Sequence, residues 1–439
     1  MNRKIHPRTF AKGGIHPHDS KLTRDVAITQ PVEPERVTVL LNQSIGAEPR
    51  LLVKAGDPVR KGQMIAEPGG YVSAALHSPV GGTVKSVTSV RDPYGYPSKA
   101  IEIIKEGDQE PAALEPLDFE TATPAQIVER VAACGIVGLG GATFPTRVKL
   151  EPGKEYRPEY VIINGAECEP WLTCDDRLMR EHASEVVSGA RWLMRAVKVK
   201  KCYIGIEENK QEAIAAMTEA ASHRSGVTVV PLKKKYPQGG EKQLIQAIIG
   251  RQVPSGSLPV YVGAIVDNVA TAFAVCEAAE KGLPLTRRVV TVTGPDLANP
   301  GNFLTDIGTP VSALIEAAGG LPEDTGKVVA GGPMMGRAMS YLDTPTTKGM
   351  SGILVLPSRM SRRPDPQPCI RCGSCVEVCP MGLEPFLIAA QGEMRLWEST
   401  LHSGVMDCIE CGSCMYTCPA ARPLLDYIRL SKRESRKLK

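Results

Sequence analysis

Long apolar runs are missing from this chain. No stretch of about 20 apolar residues occurs, the length a helix needs to cross a bilayer. The opening MNRKIHPRTF has no apolar segment of the kind a secretion signal carries, so the chain is expected to be soluble and cytoplasmic. Aromatic residues are sparse at 5%, within a hydrophobic content of 42% that is nonetheless globular. His6, His16 and His18 have no cysteine or carboxylate cluster beside them, which points to solvated imidazoles in a wrapping segment and not to a metal site. Cys134, Cys168, Cys174, Cys202 and Cys276 lack metal-ligand spacing and read as small buried hydrophobes.

The other eight of the 13 cysteines fall into two copies of one pattern. Cys369, Cys372, Cys375 and Cys379 with Pro380 read C-x2-C-x2-C-x3-C-P, and Cys408, Cys411, Cys414 and Cys418 with Pro419 repeat it. Zinc sites use separated C-x2-C pairs and disulfides are rare in the cytosol, whereas this spacing is that of bacterial two-cluster ferredoxins. Crossed ligation gives Cys369, Cys372, Cys375 and Cys418 to one 4Fe-4S cluster and Cys408, Cys411, Cys414 and Cys379 to the other. Gly373 and Gly412 stand where backbone must pass close to inorganic sulfide. Four thiolates around an oxidised core leave about −2 per cluster, so two clusters bring the formal charge of +4 near zero and leave no basic excess for nucleic acid.

At 439 residues the chain is too long for one core and suggests three or four domains. After the wrapping segment, 1–36, short strands broken by Gly56-Asp57, Gly69-Gly70 and Gly81-Gly82 predict a small β-sandwich over 37–110. Its V-x-x-G-D-x-V-x-x-G-Q and S-P-V-x-G-T-V motifs resemble a biotinyl/lipoyl-type barrel-sandwich hybrid, but YVSAAL at Tyr71 to Leu76 lacks the carrier lysine, so a scaffold is expected. Thr123-Pro124 signals a helix start. Strand and helix then alternate over 120–284, with strands near Tyr160–Asn164, Lys201–Glu207 and Val227–Leu232 and helices near Arg177–Ala196, Lys210–His223, Lys242–Ile249 and Asn268–Lys281, which predicts a parallel sheet. Strands around one helix at about Pro310–Ala318 suggest a β-grasp module over 285–356. The cluster domain, 357–428, is expected to contain one helix over EPFLIAAQGEMRLWEST, and 429–439 reads as a frayed basic tail.

A second site is signalled by Gly138-Leu139-Gly140-Gly141-Ala142-Thr143-Phe144-Pro145-Thr146 with Lys149 beyond it. Successive backbone N–H groups in such a turn can approach a phosphate, and a lysine adds positive charge; three glycines could equally make a tight connection. The predicted strand ending at Asn164 runs into Glu167 and Glu169 at the carboxyl end of a parallel sheet, where ligands bind in such folds. Tyr236-Pro237-Gln238-Gly239-Gly240-Glu241 opens a helix with an acid in its first turn.

Together GLGGATFPTRVK, NGAECEP, YPQGGEK and DNVAT resemble the flavin- and NADH-binding subunit of respiratory complex I. With GGIHPHDSK, the lipoyl-like motifs and the paired cysteine runs, the chain resembles the RnfC family of the Rnf electron-transport complex over nearly its whole length. The resemblance implies a multidomain α/β plus β architecture: barrel-sandwich hybrid, Rossmann-like FMN/NADH domain, SLBB-like β-grasp module and helical two-cluster ferredoxin domain. By position it assigns Gly138, Gly140, Gly141 and Lys149 to the FMN phosphate, Asn164 to the flavin ring, Asn268 and Thr271 to the same cofactor, Phe144 to the adenine of NADH, and Glu167 and Glu241 to the dinucleotide. Leu139, Ala166 and Gly240 depart from the complex I pattern where that family has Arg, Asp and Glu, so FMN is a safer expectation than tight NADH binding.

The same resemblance implies a peripheral subunit on the cytoplasmic face of the inner membrane. It would exchange hydride between NAD(H) and FMN and relay single electrons through two 4Fe-4S clusters to other subunits, one of them an iron-sulfur protein. Two alternatives stand beside it: a soluble flavin and iron-sulfur cobalamin reductase, and a non-catalytic electron-relay or assembly subunit.

Overall fold

The computed structural model describes residues 6–438. Two small sheets build the first unit: Arg36–Leu40, Pro97–Lys105, Gly82–Arg91 and Pro58–Val59 in one, Arg50–Leu51, Met64–Glu67 and Leu76–His77 in the other. Alternating Val37, Val39, Ile101 and Ile103 face inward and close a barrel-sandwich core. The hairpin without a carrier lysine turns into the molecule, with Ala74, Ala75 and Leu76 buried.

The second unit starts at helix α1 (Pro124–Ala133), where Thr123 and Gln126 form a reciprocal capping box and Pro124 takes the first turn, as the sequence signals. A short α2 (Thr146–Leu150) follows the glycine-rich turn. Four strands then pair entirely in parallel, in the order Val227–Leu232, Cys202–Glu207, Tyr160–Gly165, Ala264–Asn268. Helices α3 (Cys174–Glu181), α4 (Ala183–Ala196), α5 (Gln211–Ser222), α6 (Glu241–Ile249) and α7 (Val269–Glu280) connect or flank them. In chain order the sheet reads 3-2-1-4, so the direction of winding reverses between Tyr160–Gly165 and Ala264–Asn268. A crevice opens at the carboxyl ends of strands at such a switch point, and here it lies at Asn164 and Asn268, which are paired in register.

Two helices expected as continuous are broken. The span 177–196 divides at His182, which leaves helical geometry and packs its ring on Phe273 at 5.1 Å. The span 384–400 divides into Pro385–Glu393 and Trp397–His402 at Arg395, whose φ of +58° cannot continue a right-handed helix.

The third unit wraps a sheet in the order Ile28–Thr29, Gly301–Asp306, Arg287–Thr293, Gly352–Pro357, Thr325–Ala330, Arg337–Ala338 around α8 (Val311–Ala317). Its edge strand Ile28–Thr29 comes from the N-terminal segment, which also bridges Arg8 to Leu232 and Ile15 to Tyr236. After α9 (Ser358–Ser361) the fourth unit holds α10 (Ser374–Glu377), α11 (Pro385–Glu393), α12 (Trp397–His402), α13 (Ser413–Tyr416) and α14 (Leu424–Ser435) around Ile388, Val405 and Ile428.

The basic end is not a frayed tail. Residues 429–435 continue α14, whose Ser431 and Ser435 are buried, while Arg429 (3.1 Å) and Lys432 (3.2 Å) pair with Glu410 beside the second cysteine run. Apolar residues at helical spacing, Leu424, Leu425 and Ile428, anchor it to the core, so the charges ride on a packed helix.

Candidate functional site

The glycine-rich turn sits at the switch-point crevice. Gly138 N–H donates to Phe144 O at 2.9 Å, and a bridge between Val137 and Pro145 pinches the loop closed. Leu139 N–H donates to Thr271 Oγ1 (2.9 Å), whose hydroxyl donates back to Val137 O (3.3 Å), so α7 holds the loop from behind. Among the described residues, no protein acceptor meets the N–H groups of Gly140, Gly141 or Ala142, and Gly141 and Ala142 are exposed. A Cβ at Gly140 would lie 2.7 Å from the Asn268 amide, whereas one at Gly141 meets nothing within 4 Å. Free N–H groups on an open, side-chain-free turn are what a phosphate requires.

Lys149, on α2, supplies the charge. Its ammonium donates to Val266 O (2.6 Å) and lies 3.3 Å from the Asp267 carboxylate. Burial works against that charge, but Asp267 and Glu241 outweigh it and raise its pKa. Asp267 is itself wholly buried, and one of its oxygens has no hydrogen-bond partner. Glu241 opens α6 with accessible surface, yet neighbouring atoms surround it closely enough for burial to raise its pKa, which describes a side chain lining a cleft. Asn268 N-caps α7 by accepting from Ala270 N–H (2.8 Å) and donates to Asp175 (2.7 Å). Asn164 donates to Gly239 O (2.8 Å) and so ties the first strand to the turn before α6. Gly138, Gly140, Gly141, Phe144, Lys149, Asn164, Glu241, Asn268 and Thr271 thus converge on one crevice.

Two sequence-nominated acids are drawn elsewhere. Glu167 accepts from Asp175 N–H (2.8 Å) and Asp176 N–H (3.3 Å), with the Lys21 ammonium 3.9 Å away, so it caps α3 from a side chain only 4% exposed. Glu169 accepts from Met334 and Met335 N–H (3.2 and 2.6 Å), and burial pushes its pKa up to about 7. It fastens the crevice domain to the Gly331–Gly336 turn of the third unit. Sequence reading singled out neither Lys21, which donates to three carbonyls here, nor Asp267; the only signals were their places inside GGIHPHDSK and DNVAT.

The cysteine runs have matching backbones. Arg371 and Glu410 have φ of 56° and 57°, Gly373 and Gly412 of 80° and 78°, and each run ends in a four-residue helix, α10 or α13. A small cavity is lined by Cys379, Cys408, Cys411 and Cys414 together, the crossed set that the spacing predicts. The thiol of Cys375 lies within electrostatic reach of Cys418 and Cys372. The donor sets therefore fit two cubanes.

Their surroundings differ sharply. Cys379, Cys411 and Cys414 are buried, with Ile15, Tyr236 and Met334 packed at Cys411. Tyr236 donates its hydroxyl to Cys411 O at 2.8 Å. Gly14 N–H donates to Val378 O (2.8 Å), and a Cβ on Gly13 would come within 2.6 Å of the Cys379 backbone. Cys369 and Cys372 are exposed, beside an Ile370 that is 69% exposed.

Known proteins match along the whole chain. Family models match residues 9–109 (RnfC barrel sandwich hybrid domain), 131–277 (Nuo51 FMN-binding domain), 289–338 (SLBB domain) and 362–419 (4Fe-4S dicluster domain). The C subunit of the Na(+)-translocating ferredoxin:NAD(+) oxidoreductase complex of Acetobacterium woodii is 43% identical over 432 residues, covering 96% of each chain. The C subunit of the proton-translocating ferredoxin:NAD(+) oxidoreductase complex of Clostridium ljungdahlii is 42% identical over 97% of this chain and 94% of its own. The C subunit of the ion-translocating oxidoreductase complex of Rhodobacter capsulatus is 44% identical over 99% and 86%. Among solved structures, an NAD+-reducing [NiFe]-hydrogenase in the H2-reduced state aligns with a TM-score of 0.51 at 20% identity, over 71% of this chain and 62% of that one, a likeness of fold.

Proposed function

This chain belongs to the RnfC family, the C subunits of ion-translocating oxidoreductase complexes, and from that premise we propose that it is the subunit at which NAD(H) exchanges electrons with the complex. The chain is an oxidoreductase subunit with an FMN-binding domain and a 4Fe-4S dicluster domain, and its partners are the other subunits of that complex. Among the described residues no helix is long and apolar enough to cross a membrane. We read the chain as a peripheral subunit on the cytoplasmic face.

A bound FMN supplies the exchange of a two-electron hydride for single electrons, and each 4Fe-4S cluster accepts one electron at a time. The free N–H groups of Gly140 to Ala142 and the Lys149 ammonium would bind and orient the phosphate end. Asn164 and Asn268 border the crevice that would receive the ring system, and Thr271 fixes the loop. Phe144 and Glu241 are the residues that would meet NAD(H) beside the loop. Glu167 and Glu169 act on the dinucleotide only through the loop they brace.

The observation that carries the reading is the asymmetry of the two cysteine runs. The Cys408 set is packed against the crevice domain through Tyr236 and would hold the cluster that communicates with the crevice, while the Cys369 set reaches the surface and would hold the one that faces a partner subunit. Anaerobic addition of NADH to the reconstituted chain tests it: flavin bleaching followed by a reduced-cluster paramagnetic signal is expected. Clusters that respond to dithionite while NADH changes nothing would favour a relay without its own NADH site. That second reading draws on Glu167 and Glu169 both being engaged within the protein.

A further inference from the structure

A cavity of about 320 Å³ lies where the first three units meet, away from both cysteine runs. Its volume falls in the range of small-molecule sites, about 300–1,000 Å³. One stripe of α7 forms a wall: Ala270, Phe273, Ala274, Glu277 and Lys281 recur at three- and four-residue spacing. Asn268 and Thr271, which serve the glycine loop, lie off that stripe. The barrel-sandwich unit contributes Lys61, and the third unit contributes Arg287, Arg288, Val289 and Leu304.

The lining combines two chemistries. Leu139, Phe273, Leu283, Val289 and Leu304 make it mostly apolar, and Phe273, Leu283, Val289 and Leu304 each keep part of their surface accessible. Among the lining residues Lys61, Lys281, Arg287 and Arg288 oppose a single carboxylate, Glu277, which sits 3.7 Å from Lys281, while Asp306 behind the lining lies within electrostatic reach of Lys61 and Arg287. Arg288 is only 4% exposed and donates to the carbonyls of Lys348 and Val289, with no carboxylate within 4 Å among the described residues. Asp175 lies within electrostatic reach of it and offsets part of the cost of its burial. An apolar chamber with excess positive charge is complementary to an apolar body bearing an anionic head.

We propose that this junction binds a long-chain carboxylate, its alkyl chain among Phe273, Val289 and Leu304 and its head group among Lys61, Lys281 and Arg287. None of these six residues is assigned to the crevice or a cysteine run, and because Leu139 of the glycine loop also lines the chamber, flavin and cluster absorbance are read beside binding.

Calorimetric titration of the intact, cluster-loaded chain with oleate, kept below its micellar concentration, tests it. Saturable binding of one oleate per chain is expected. Ala274→Trp, or Val289→Trp should the first misfold, fills the chamber and abolishes binding while flavin and cluster absorbance persist. Lys281→Glu combined with Arg287→Glu weakens binding about ten-fold or more. Binding to phosphatidylglycerol vesicles but not to free oleate overturns the proposal, because the ligand would then be a phosphodiester lipid and not a carboxylate. Absence of saturable binding in both arms, binding indifferent to all the variants, or equal affinity for oleyl alcohol overturns the proposal.

Discussion

Tyr236 donates its phenolic hydrogen to the carbonyl of Cys411 at 2.8 Å, and it is 1% exposed. The same residue exchanges both backbone hydrogen bonds with Ile15, each at 2.8 Å, and begins the turn whose Gly239 carbonyl accepts from Asn164. One side chain thus links the crevice to the peptide of a cluster ligand. A donor on that peptide draws electron density from the thiolate side and favours the reduced cluster. Tyr236→Phe is expected to lower the midpoint potential of one cluster and leave the other unchanged, with flavin content intact. Redox titration followed by electron paramagnetic resonance reads this, and two unmoved potentials would refute it.

Crossed ligation predicts which cysteines share a fate. Cys379→Ser should remove the same cluster signal as Cys414→Ser, although Cys375 is closer to Cys379 in the chain. Cys418→Ser should behave like Cys375→Ser. The opposite pairing in spectra of the four variants would contradict the cavity lined jointly by Cys379, Cys408, Cys411 and Cys414.

Lys149 and Asp267 separate binding from stability. Lys149→Met leaves Asp267 buried with no counter-charge, a loss of roughly 3–5 kcal/mol for a broken buried pair. It also removes the phosphate's cation. Adding Asp267→Asn should recover most of the denaturation midpoint without recovering flavin retention. Recovery of both would mean that the lysine serves only the fold.

The loop glycines should differ. Gly140→Ala sets a methyl 2.7 Å from the Asn268 amide and is expected to disturb the cap of α7 and lower flavin content. Gly141→Ala meets no protein atom within 4 Å, so it should leave thermal stability of the flavin-free chain unchanged while weakening flavin retention. Equal stability loss in both variants would show that the loop is merely a tight connection.

Lys348 gives the chain a pH-dependent junction. Its side chain is 1% exposed and donates to Ala75 O and Gly135 O, both at 2.8 Å, tying together three units. Burial lowers its pKa to about 7, against 10.5 for a solvated lysine. Between these values the unfolded chain binds a proton that the folded chain does not, so this group's contribution to stability rises with pH across the window and is lost as pH falls toward 7. Lys348→Met should flatten that slope relative to the parent in denaturant titrations at pH 7, 8 and 9. Parallel profiles would place the charged form in the folded junction.

Sequence by itself determined what depends on local spacing. Eight thiolates at C-x2-C-x2-C-x3-C nominate two cluster sites and a crossed pairing, because three ligands on one turn leave a fourth to come from the other run. The glycine loop, Lys149 and the Thr123-Pro124 helix start were legible for the same reason: each acts through neighbours a few residues away. Alternation of strands and helices likewise announced the parallel sheet, though a break at His182 or Arg395 leaves no mark in an apolar pattern.

Tertiary packing decided the rest. Both cysteine runs read alike, yet one is buried against Tyr236 and the other faces solvent, since burial depends on what lies more than 150 residues away in the chain. Glu167 and Glu169 look like crevice acids in sequence, but the start of α3 and the Met334–Met335 amides claim them. The basic end became a packed helix because Leu424, Leu425 and Ile428 found a core. A carboxylate or a lysine goes where unsatisfied partners await it, and only the folded chain brings those partners within reach.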